Sequence, residues 1–150
     1  MIRRGSAQDM PFLRDMLRHA YYWRWGDPET ADLPLTRYFA GWGRPGDAAA
    51  IAIDVFQPVG AAWYRLFRRE APGYGFVDEQ TPELTIAVVP SRRGKGAGKE
   101  LLEALLTRAR EDGYESVSLS AAKGQTAYYE QFGFETVRET EHAVTMVARL

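Results

Sequence analysis

Apolar residues recur along this chain with two different periods, and the changes of period mark its elements. Residues 2–4 read as a short strand, and Ser6 follows with a hydroxyl suited to cap a helix. Phe12, Leu13, Met16, Leu17 and Ala20 then repeat at helical spacing, as the buried stripe of an amphipathic helix does. From 21 to 45 the pattern breaks: Tyr21, Tyr22, Trp23, Trp25, Tyr38, Phe39 and Trp42 alternate with Pro28, Pro34 and Pro45. A second short helix is expected near 35–42. Two strands follow at 49–56 and 59–67, with a hairpin-like turn expected at Gln57-Pro58. Residues 68–80, rich in Pro, Gly and acid, read as a loop, and 84–89 as a fourth strand.

Leu101, Leu102, Leu105, Leu106 and Ala109 form one face of a further helix, with Glu103, Arg108, Arg110 and Glu111 opposite and Gly113 as its stop. A fifth strand at 116–120, a helix at 125–132 and strands at 134–137 and 143–149 complete the pattern. Strands and helices mix without repeats or linkers, which predicts a single α/β (α+β) domain over residues 1–150.

Composition narrows the chemistry. With 150 residues and 45% hydrophobic content, the chain suits one core. The absence of cysteine excludes disulfides, thiolate zinc sites and a cysteine nucleophile. His19 and His142 lie far apart, so no metal is expected. Nineteen basic residues against twenty acidic give a net charge of -1, which argues against a nucleic-acid or anionic-membrane surface. No apolar run approaches the ~20 residues of a membrane helix, and Met-Ile-Arg-Arg-Gly does not open a signal peptide; a cytoplasmic protein is the expectation.

Positive charge is concentrated locally, at Arg92, Arg93, Lys95 and Lys99. There the fourth strand runs through Gly94, Gly96 and Gly98 into the amphipathic helix. Helix-opening N–H groups lack intrahelical partners and sit at the positive end of the helix dipole, so a glycine-rich entry makes an anion cradle. A nucleoside-triphosphate loop, G-x-x-x-x-G-K-[ST], would put Arg93 where its first glycine belongs and Glu100 where its hydroxyl belongs. A dinucleotide fingerprint started at Gly94 or Gly96 ends on Lys99 or Leu101. Both readings fail.

What fits is Arg93-x-x-Gly96-x-Gly98, which resembles the [RQ]-x-x-G-x-[GA] signature of the GNAT N-acetyltransferase superfamily. Downstream, Ala127-Tyr128-Tyr129-Glu130-Gln131-Phe132-Gly133-Phe134 resembles that family's second landmark. The resemblance covers residues 84–137 and implies the GNAT fold: a central mixed, mostly antiparallel sheet of about seven strands flanked by about four helices, splayed where acetyl-CoA enters. It implies that the backbone of Arg93, Gly94, Lys95, Gly96, Ala97, Gly98 and Lys99 holds the coenzyme A pyrophosphate. The main chain of Val88 and Val89 would meet the pantetheine arm and thioester. Tyr129, four residues before Gly133, matches the tyrosine that protonates the leaving thiolate; Tyr128 would point about 100° away by helical geometry. Glu83 matches a glutamate that some members use as base, with Asp78 and Glu79 as rivals, and a neutral acceptor amine would need no base.

The asparagine that many relatives carry between the fifth strand and this helix is absent from 120–126, where Ser120 or Gln125 could substitute. Aromatic residues of the N-terminal half are candidates to wall an acceptor site, Trp63 and Tyr64 first, although aromatics also fill cores. The implied activity is direct transfer of an acetyl group to a small-molecule or protein or peptide amine, in a ternary complex. A homodimer through unpaired terminal strands is a further expectation. The other readings are a non-catalytic acyl-CoA-binding sensor on the same fold and, explaining the glycine loop alone, a nucleotide-binding regulatory domain.

Overall fold

Strand β2 (Ala48–Asp54) is almost all alanine and isoleucine, the composition of a strand covered on both faces. In the computed structural model, which describes residues 1–21 and 35–150, it lies inside a seven-stranded sheet. The strand order is β1 (Ile2–Arg4), β2, β3 (Gln57–Arg65), β4 (Glu83–Val88), β5 (Ser116–Ala122), β7 (Ala143–Arg149), β6 (Phe134–Glu139). All neighbours are antiparallel except β4 and β5. Among the described residues the edge strands are β1 and β6.

Among the described residues there are three α-helices: α1 (Met10–Tyr21), α2 (Ala97–Glu111) and α3 (Thr126–Glu130). On one face of the sheet Leu13, Met16 and Leu17 of α1 pack with Ile51, Ala61 and Trp63. On the other, Leu101, Leu102 and Leu105 of α2 pack with Ala50, Ala62 and Leu84, beside Tyr129 of α3. No helix among the described residues is long and apolar enough to cross a membrane.

The helix expected at 35–42 is only a 3-10 turn over Leu35–Tyr38. The reason lies in β3. Arg65, 1% exposed, sends Nη1 to the carbonyls of Arg37 (3.0 Å) and Ala40 (2.7 Å). These contacts pin the segment as it leaves the turn, and Gly41 and Gly43, at φ of 62° and 105°, lead the chain out of helical geometry.

The hairpin turn also differs from expectation. Gln57 and Pro58 lie inside β3, Asp54 pairs with Gln57, and the two turn residues are Val55 and Phe56 at φ of 50° and 66°. Positive φ at both positions is the type I′ pattern, whose backbone twist suits a two-residue hairpin; proline, fixed near -65°, cannot adopt it. Pro58 instead pairs with Ile53 beside a register shift, where a missing N–H costs no ladder bond. Val55 and Phe56 are 77% and 97% exposed, so nothing offsets their left-handed strain. Replacing them with Asn-Gly is expected to stabilise the fold by about 1–2 kcal/mol, read as a rise in Tm of several degrees; an unchanged or lower Tm would contradict the strain.

After β3 the chain folds back over the sheet, held by polar contacts. Arg37 Nη1 donates to the Pro72 carbonyl (2.9 Å), Tyr74 N–H to the Tyr38 hydroxyl (2.7 Å) and Gly75 N–H to Glu83 Oε1 (3.0 Å). Glycine is required at 75, because a Cβ there would lie 2.7 Å from the Leu119 carbonyl carbon of β5.

Candidate active site

The parallel pair β4–β5 is joined at one register position, Glu83 with Ser118, backed by the Ser118 N–H to the Pro82 carbonyl (3.0 Å). Beyond it the strands part. On its other side β4 stays paired with β3 as far as Val88, and the Val89 N–H continues to the Val59 carbonyl (2.8 Å). In an antiparallel ladder alternate residues face the same partner, so 85, 87 and 89 turn their main chain to β3, and Ile86 and Val88 turn theirs toward the gap. Val88 therefore turns its N–H toward the gap. Val89 does not: its N–H is spent on Val59 and its carbonyl on the Arg92 N–H (2.9 Å). Ile86, which sequence reasoning did not name, turns its main chain toward the gap and borders the cleft, because ladder phase cannot be read from one strand.

The gap opens into a cleft of about 620 Å³. Residues 84–88 of β4 form one wall and 119–122 of β5 the other. The glycine turn, Tyr128 and Tyr129 of α3, and His19 and Tyr21 of α1 also border it. Gly94 and Gly96 hold φ of 79° and 88°, conformations that disfavour a side chain, and Gly96 is the N-cap of α2. The turn before α2 is open at both glycines: a Cβ on Gly94 or Gly96 would meet no atom within 4 Å. Arg93 Nε donates to the Val88 carbonyl (3.1 Å), bracing the turn on the strand end, and Arg92 pairs with Asp54 (3.0 Å). Arg93, Gly94, Gly96, Ala97, Gly98 and Lys99 border the cleft, whereas Lys95 is exposed outside its lining.

Tyr129 is partly buried, edge-on to Tyr128 at 5.2 Å and to Phe134 at 6.0 Å. Burial, with a smaller contribution from Tyr128, pushes its phenol up to about 12, so it stays protonated across the physiological range. Tyr128 borders the same cleft, so the two rings do not diverge to different surroundings as helical geometry suggested.

The other candidates lie elsewhere. Glu83 is 1% exposed, outside the cleft lining, and its oxygens accept from the Tyr38 hydroxyl and the Gly75 N–H. A Cβ on Gly73 would lie 2.4 Å from its Oε1, so the backbone itself walls the carboxylate in. Its Tyr38 partner has its pKa raised well above the ordinary phenol value, by burial first and then by the Glu83 charge. Trp63 and Tyr64 are 0% exposed: Trp63 Nε1 donates to the Tyr38 carbonyl (3.0 Å) and the Tyr64 hydroxyl to Asp112 Oδ2 (2.6 Å). Both belong to the core on opposite faces of β3, so neither borders the cleft. Asp78 and Glu79 are likewise outside its lining. Tyr22, Trp23 and Trp25 lie outside the described residues. Among the described residues no cluster of three or more His, Asp or Glu is placed to hold a metal.

The sequence profile of the acetyltransferase (GNAT) family matches residues 10–134. The chain belongs to that family. A comparison with curated proteins finds no match. Among solved structures, the ribosomal-protein-alanine N-acetyltransferase of Brucella melitensis is 23% identical, with a TM-score of 0.67 over 100% of this chain and 99% of its own. YncA, a putative acetyltransferase of Salmonella typhimurium solved with acetyl-CoA, is 20% identical, with a TM-score of 0.71 over 100% and 93%. The PaiA N-acetyltransferase of Thermoplasma acidophilum, solved with coenzyme A, is 14% identical, with a TM-score of 0.70 over 100% and 98%. At these identities the likeness is one of fold, and this member shares the GNAT sheet, opened between β4 and β5.

Proposed function

We propose that this GNAT member is an acetyl-CoA-dependent N-acetyltransferase that acts by direct transfer in a ternary complex. The observation that carries the reading is the fork between β4 and β5, which opens onto the glycine entry of α2 with a protonated tyrosine beside it. The amides of residues 96–99 and the charges of Arg93 and Lys99 fit a diphosphate. The main chain of Ile86 and Val88 fits an extended amide-bearing arm laid in the gap, in the manner of a strand. Tyr129 hands its proton to the thiolate as the carbon–sulfur bond breaks and the nitrogen–carbon bond forms. The proton shed by the acylated nitrogen restores the phenol directly or through water.

Glu83 has no part as base in this scheme, because its carboxylate ties down the loop over the sheet. The acceptor is a primary amine that arrives neutral, on a small molecule or on a protein or peptide. The test is calorimetry with acetyl-CoA followed by thiol release across an amine panel covering polyamines, amino acids and peptides with free N-termini. Binding in the micromolar range and turnover on at least one amine are expected. No binding at high micromolar acetyl-CoA overturns the reading, and binding without turnover on any amine replaces it with an acyl-CoA-binding module.

A further inference from the structure

We infer that Tyr128, rather than serving only as a packing neighbour of Tyr129, is a side-chain ligand for the diphosphate of the acyl-CoA donor. The inference rests on the acyltransferase reading above and assigns one more residue to its donor site. The Tyr128 hydroxyl stands 3.3 Å from the point that a Cβ on Gly98 would occupy. Gly98 lies in the first turn of α2, where backbone N–H groups have no intrahelical partner, so the phenol stands beside that turn in the same cleft. A bare glycine at 98 leaves the hydroxyl and the amides facing one space.

The ring is already fixed there, edge-on to Tyr129 at 5.2 Å and to Phe132 at 5.4 Å, so placing the donor costs little ordering on binding. Burial, and then the Glu103 charge, raise the pKa of the phenol, so it meets an anion as a donor. The anion that such a set suits is a phosphoryl oxygen: amide donors and the helix dipole on one side, a phenol O–H on the other, Arg93 and Lys99 at the rim. The two tyrosines of α3 then divide the donor between them, Tyr128 at the diphosphate and Tyr129 at the thiol.

The experiment is calorimetry and ³¹P NMR of bound CoA with the wild type, Tyr128→Phe and Tyr129→Phe. Tyr128→Phe is expected to weaken CoA about tenfold and to shift the bound diphosphate resonances while leaving the 3′-phosphate in place, whereas Tyr129→Phe changes neither. Gly98→Ala serves as a second variant, since its new methyl crowds the hydroxyl: it should weaken CoA in the wild type and do so less in the Tyr128→Phe background. Wild-type affinity in Tyr128→Phe, or lower affinity with unmoved diphosphate resonances, overturns the inference. A wild type that does not bind CoA overturns the reading beneath it as well.

Discussion

Tyr129→Phe is expected to lower kcat by about 10²–10³ while leaving the affinity for acetyl-CoA within about twofold. The substitution keeps the ring and its contacts with Tyr128 and Phe134 and removes only the O–H. On the proposed mechanism, binding depends on the α2 amides and the β4 backbone, and departure of the thiolate depends on the proton. The sign of the pH dependence follows from the phenol being pushed up to about 12. The protonated form is the working form, so the rate should not fall on the alkaline side until well above pH 10, and the acid limb reports deprotonation of the acceptor amine. Steady-state kinetics on the best amine of the panel, with CoA calorimetry alongside, measures both. Equal kcat in the two proteins would remove Tyr129 from the mechanism.

Asp47→Ala is expected to be the most damaging substitution for stability, at about 3–5 kcal/mol. Asp47 takes both Nε and Nη2 of Arg65, at 2.9 and 2.7 Å, and both side chains are 1% exposed. Its carboxylate also accepts the N–H groups of Gly43 and Arg44 (3.1 Å each). Alanine leaves a guanidinium buried without its counter-charge and frees the corner at 43–47, a large share of the roughly 5–15 kcal/mol that holds a domain of this size. A drop in Tm of about 10 °C should result. The double variant Asp47→Leu with Arg65→Met should recover much of the loss, since the penalty comes from the stranded charge. An Asp47→Ala protein as stable as the wild type would show that Arg65 finds other partners.

Much of this architecture was legible in the sequence, and the losses share a physical cause. The stripe of Leu101, Leu102, Leu105 and Leu106 and the glycines before it announce α2 and its entry, because both depend on residues close together in the chain. Elements set by distant partners were misjudged. The turn at Val55-Phe56 was hidden behind Pro58, since neither residue favours the conformation that the flanking strands impose on it. The 35–42 segment reads as a helix because nothing local reports that a buried Arg65 pins its carbonyls from β3. Trp63 and Tyr64 were offered to a substrate and Glu83 to catalysis for the same reason: residue type suggests chemistry, whereas burial and partners decide it. Ladder phase alone turns the main chain of Ile86, and not that of Val89, toward the gap.

The single pairing of Glu83 with Ser118 has a mechanical meaning for the whole molecule. Along that line β1–β4 form one half-sheet and β5, β7 and β6 another, and the hydrogen-bond continuity that makes a sheet cooperative is interrupted between them. The amides beside this seam are expected to exchange with solvent sooner than those in the fully paired β2–β3 and β5–β7 ladders. On the acyltransferase reading, the arm of the donor laid in the gap would act as a substitute strand and join the two half-sheets.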